Sequence, residues 1–94
     1  MASIGVLTLE LRIEDAHSLK DKRHVVKGLK DRLRARFNVA VAEIDFEDVW
    51  QCALVAAVTV SSSRERAEQV LQAVEEDAAG VLGGSLVSTA VEWL

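Results

Sequence analysis

The chain has 94 residues, half of them apolar, and carries a net charge of −4. That length can bury roughly 60 to 65% of its unfolded surface, enough for one hydrophobic core, and that composition excludes a disordered chain. A single Cys excludes an internal disulfide, no apolar run approaches the length of a membrane span, and Pro is absent. With Gly80 to Gly84 as the only glycine-rich place, no linker is visible, and residues 1–94 are expected to form one domain. The N-terminal MASIGVLTLELRIED lacks a basic n-region, so no signal peptide is expected, and the expected compartment is the cytoplasm.

Ser3 to Ile13 alternates as a strand, with Gly5, Leu7, Leu9, Leu11 and Ile13 on the core face and Ile4, Val6, Thr8, Glu10 and Arg12 on the other. A short loop, Glu14 to His17, leads to Ser18, whose hydroxyl is a good N-cap, with Asp21 three residues on. Ser18 to Phe37 then reads as one amphipathic helix. Its buried line is Val26, Leu29 and Leu33, flanked by Leu19, Val25 and Phe37, and Asn38 ends it. Asn38 to Phe46 is a second strand, Glu47 and Asp48 a turn, and Trp50 to Ser61 a third strand. The third strand is apolar on both faces, as suits a central strand. Ser62 and Glu65 fit a capping box for a second helix over Arg64 to Ala79, with Gly80 as its C-cap. Its buried line is Ala67, Val70, Leu71, Val74 and Ala78, and its outer face is acidic. Glu75, Glu76 and Asp77 in its last turn oppose the helix dipole, an arrangement without a local explanation. Ser85 to Leu94 closes the chain as a fourth strand.

The order βαββαβ predicts an α+β, ferredoxin-like two-layer sandwich, with four antiparallel strands and both helices on one face. The far face of that sheet is left open. It carries Ile4, Val6 and Thr8 together with one side of the apolar third strand. An exposed apolar patch of this kind marks an interface, so a homodimer through Ile4, Val6 and Thr8 is expected.

Charge is distributed unevenly. The first helix holds eight of the eleven Lys and Arg residues and only Asp21 and Asp31 as acids, so it carries +6 and the remainder carries −10. Lys20, Arg23, Lys27, Lys30 and Arg34 recur at spacings of 3 and 4 and form a basic ridge roughly 21 Å long. A solvated helix face is the plain alternative. Against it, Asp31 is the only acid near the ridge, and Lys20, Lys22 and Arg23 lie in the first turns, where the dipole disfavours cations. Lys and Arg bind phosphates, and a helix N-terminus is a ready anion site. Candidate RNA or anion contacts are therefore Lys20, Lys22, Arg23, Lys27, Lys30 and Arg34, with His17 beside them. Two Phe, two Trp and no Tyr leave little for base stacking, so RNA would be held through phosphates and shape.

Several segments together carry a resemblance: IGVLTLEL at Ile4 to Leu11, AHSLKDKR at Ala16 to Arg23, RFNVAVAEID at Arg36 to Asp45, Asp48-Val49-Trp50-Gln51, and the closing Val91-Glu92-Trp93-Leu94. The chain resembles the YlxP-like family of small bacterial proteins of unknown function. The resemblance implies a ferredoxin-like fold. Family genes tend to lie among those for transcription-termination, translation-initiation and ribosome-maturation factors, which implies a partner in RNA or a ribosomal particle. It supplies no catalytic residues.

Other chemistry is sparse. Glu43, Asp45, Glu47 and Asp48 could hold Mg²⁺ or Ca²⁺, but no glycine-bearing calcium loop accompanies them, and a solvated turn is the preferred reading. His17 and His24 lack ligand-spaced partners, and His24 reads as a helix-surface residue. Cys52 reads as a buried, inert thiol. With no GxSxG, Walker, HExxH or CxxC pattern, neither enzymatic activity nor a cofactor is expected. Three functions follow. The first is a non-enzymatic factor binding ribosomal RNA phosphates through the ridge. The second is an interaction module whose basic helix docks an acidic protein, without RNA. The third is a small-molecule sensor or enzyme with an anion pocket at the Ser18 end, between His17, Lys20 and a neighbouring strand. A membrane partner is not expected.

Overall fold

The computed structural model describes residues 1–94. Strand β1 (Ser3–Arg12) is followed by helix α1 (Leu19–Arg36), strands β2 (Ala40–Asp45) and β3 (Cys52–Ser61), helix α2 (Arg64–Leu82), a 3₁₀ turn and strand β4 (Leu86–Trp93). The strands form one antiparallel sheet in the order β2-β3-β1-β4. Both helices pack on one of its faces, as the ferredoxin-like plan requires.

The period-2 pattern of β1 holds throughout. Leu7, Leu9 and Leu11 lie opposite Ala57, Val55 and Ala53 of β3, all buried beneath Val26, Leu29 and Leu33 of α1 and Leu71, Val74 and Ala78 of α2. The Ser18 hydroxyl accepts from the Asp21 N–H at 3.1 Å and starts α1, as expected from its position. Gly5 meets a steric requirement. A Cβ there would stand 2.7 Å from Leu71 Cδ1 and 2.7 Å from the Trp93 ring, so the absent side chain lets the indole lie across β1.

The second half departs from the sequence expectation at two points. Ser63, not Ser62, caps α2, its hydroxyl accepting from the Arg66 N–H. The helix then runs through Gly80 to Leu82 and stops at Gly83, which has φ 55°. Gly80 is compatible with a helix, whereas Gly83 adopts a left-handed φ that other residues disfavour. Asp77 consequently lies a turn inside the helix and away from the dipole's negative end. In β4 a register shift beside Glu10 and Leu11 brings Leu86 opposite Leu11, so Leu86 packs on the core and Val87 is exposed. No helix is long and apolar enough to cross a membrane.

Candidate nucleic-acid interface

Helix α1 spends its charges differently on its two sides. The apolar stripe Val26, Leu29, Leu33 continues backwards by one turn to Lys22, which is 0% exposed. Its ammonium lies 2.9 Å from Glu43 Oε2, 2.6 Å from the Phe46 carbonyl, and 3.2 Å from the carbonyls of Glu47 and Cys52. Three N–H donors thus serve four oxygens, and a buried ammonium needs such a set to offset its desolvation. Lys22 is thereby corrected as a phosphate contact: it pins the β2–β3 hairpin from inside and cannot reach a ligand. Glu43 leaves the acidic cluster for the same reason.

Arg32 and Arg36 turn toward α2. Arg32 Nε and Nη2 donate to the two oxygens of Asp77 at 2.8 and 3.1 Å, and Arg36 Nη1 donates at 2.9 Å. The Arg32 hydrogen bonds, reinforced by the charges of Arg32 and Arg36, hold the Asp77 carboxyl below its ordinary value, against the opposing effect of burial. The Arg32 guanidinium is raised for the reciprocal reason. Asp77, unexplained by local rules, is the acid that joins the two helices.

The outer side holds the remaining bases. Lys20, Arg23 and Lys27, with Asp21 and His24, line a shallow depression of about 500 Å³ without a hydrophobic residue in its wall. Lys20, Arg23 and Lys30 have no acidic partner. Lys27 pairs with Asp31 at 2.7 Å, both exposed, and that contact holds the Asp31 carboxyl low. Such an exposed pair is weak and opens readily to a competing anion. Arg34 is exposed but donates one N–H to the Val41 carbonyl at 2.7 Å, which ties it to β2. His17 is outside the depression. Its backbone N–H donates to Asp21, and no strand residue lines that space. The anion pocket expected between His17, Lys20 and a strand is therefore not formed.

On the far side of the sheet, Ile4, Val6 and Thr8 are half-buried. They pair with Val60, Val58 and Ala56, and Ala40, Ala42 and Ala90 extend the same face. The result is a largely apolar sheet face, bordered by the exposed Glu10 and by Glu92 opposite Val6, that no helix covers.

A family model described as a protein of unknown function (DUF503) matches residues 4–90. The chain belongs to this family. Uncharacterized protein YlxP of Bacillus subtilis (strain 168) is 44% identical to it over 71 residues, 76% of this chain and 77% of that one. The YlxP-like resemblance thus holds for the chain as a DUF503 protein, and neither name carries an activity. Among solved structures, the de novo designed protein Foldit4 superposes with a TM-score of 0.61 at 10% identity, over 100% of the DUF503 chain and 97% of its own. A dimeric ferredoxin-like protein of unknown function from Thermobifida fusca YX has a TM-score of 0.50 at 14% identity, over 97% and 90%. These likenesses establish the ferredoxin-like fold.

Proposed function

We propose that this DUF503 chain is a non-enzymatic accessory factor of ribosome or RNA metabolism that grips RNA phosphates with the outer face of α1. One observation carries the reading. After the fold has used Lys22, Arg32 and Arg36 internally, Lys20, Arg23 and Lys30 stand unpaired beside the labile Lys27 pair, on a protein that is otherwise acidic. Three neighbouring cations without an ion-pair partner, beside a fourth whose pair is weak, repel one another, and a polyanion relieves that repulsion while releasing its own counterions. The reading narrows the expected contacts to Lys20, Arg23, Lys27 and Lys30, with Arg34 at the end of the row and His17 outside it. The sheet face around Ile4, Val6 and Thr8 supports pairing with a second copy, which would place two such helices on one assembly.

The salt dependence of binding to structured RNA tests this. Replacing Lys20, Lys27 and Lys30 by Gln lowers the slope of log K against log salt by roughly 2 to 3, since each phosphate contact contributes about 0.7 to 0.9. RNA binding with an unchanged slope contradicts the assignment. Absence of RNA binding together with retention of an acidic protein on the same face replaces it with the interaction-module reading.

A further inference from the structure

The β2–β3 hairpin tip combines features that the function above does not use. Ile44, Phe46, Val49 and Trp50 are 51, 39, 42 and 46% exposed, an unusual concentration of large apolar side chains within seven residues. Among them stand Asp45, Glu47 and Asp48, all exposed and without an ion pair. The tip has a fixed shape. Lys22 Nζ holds the carbonyls of Phe46, Glu47 and Cys52 from beneath, and the Val49 N–H closes a turn on the Phe46 carbonyl at 3.0 Å. Phe46 itself has φ 63°, a conformation rare for a bulky residue, which persists only where the surroundings impose it.

From this we infer that the tip is a docking surface for a basic protein segment that carries apolar side chains. Trp50 and Phe46 supply the kind of aromatic anchors that dominate binding surfaces, and the pinned backbone lowers the ordering cost of association. The three unpaired carboxylates select the charge: they repel RNA and attract Lys and Arg. A second copy of this chain is a poor occupant, because its exposed basic depression has no hydrophobic residue in its wall to match the apolar side chains of the tip. Lys22 lies between Lys20 and Arg23 in sequence and inserts into the hairpin, so the acidic tip adjoins the N-terminal end of the basic face. Protein surfaces that bind RNA are basic, so one ribonucleoprotein could meet both regions. The tip proposal nonetheless stands on its own charges and does not depend on RNA binding.

Trp50 provides the readout. In the Trp93→Phe protein it is the only Trp, and an amphipathic Leu/Lys peptide serves as probe beside its Leu/Glu counterpart. The proposal predicts a blue shift and saturable binding with the Leu/Lys peptide alone. Val49→Ser with Trp50→Ser, followed by fluorescence anisotropy of a labelled peptide, lowers affinity at least tenfold, and so does Asp45→Asn with Glu47→Gln and Asp48→Asn. Glu68→Gln with Glu76→Gln on the outer face of α2 leaves affinity unchanged. Equal losses from the tip and α2 variants reduce the binding to general charge attraction and overturn the proposal. So does a Trp50 emission that the peptide never shifts, or a tip variant that abolishes self-association instead.

Discussion

Lys22 and its neighbours Lys20 and Arg23 occupy one stretch of one helix, yet their charges have opposite fates. Lys22 points inward, where four oxygens surround its ammonium and exclude solvent. Lys20 and Arg23 point outward, and neither forms an ion pair. The same division runs down α1: Arg32 and Arg36 are spent on Asp77, while Lys30 is unspent. Charge on the inner side builds the fold, and charge on the outer side is left for something else. Counting bases along the helix merges these two roles.

The largest test of this division is Lys22→Met. It strands a half-buried carboxylate and three carbonyls, and the expected loss is about 3 kcal/mol, read from the urea midpoint. Lys20→Met in the same assay leaves the midpoint unmoved; equal losses would break the comparison. Next, Val6→Lys on the open sheet face converts the expected dimer to a monomer in sedimentation at unchanged fold. A wild-type chain that is monomeric at high concentration would remove the dimer. A smaller effect comes from Asp77→Asn, which lowers Tm at neutral pH by less than Lys22→Met does. Its pH dependence carries a definite sign. The folded Asp77 carboxyl is held below its ordinary value, so the clamp stabilises above the unfolded value of about 3.9 and fades as pH falls through the lower folded value. The stability difference between wild type and Asp77→Asn therefore shrinks on acidification below about pH 4. A difference that grew instead would mean that Asp77 is not the ionised partner of Arg32. The smallest expected change is in Lys27→Gln, which opens the Lys27–Asp31 pair, barely moves Tm, and allows the Asp31 carboxyl to titrate closer to its ordinary value by NMR.

Much of the fold was legible because it rests on local repeats. The alternation of β1, the Ser18 cap and the Val26, Leu29, Leu33 stripe are each set by neighbours within a turn or two. Lys22 was misread although the signal was present: it precedes Val26 by four residues and extends the same stripe. Its residue type argues for solvent, and its oxygens come from residues 21 to 30 positions away, which no helical period reveals. The end of α2 was misplaced because Gly80 and Gly83 look alike in sequence, and only Gly83 has a positive φ. The exposed tip was hidden for a similar reason. Phe46 and Trp50 read as the ends of two strands, and their exposure follows from a hairpin pinned from below by a distant lysine. The exposure of Lys20, Arg23 and Lys27 was recoverable from spacing alone, because exposure on a helix follows its period, whereas Lys30 on the same line is half-buried.

The central claim is that the unspent cations of α1 engage RNA in a ribosomal particle. Cosedimentation of the chain with 30S subunits, 50S subunits and bulk RNA at two salt concentrations tests it most directly, beside a variant with Lys20→Glu, Lys27→Glu and Lys30→Glu. The account predicts binding to one particle above the bulk-RNA level, weakened by salt and lost in the variant. Binding that equals the bulk-RNA control, or that survives the three charge reversals, would contradict it.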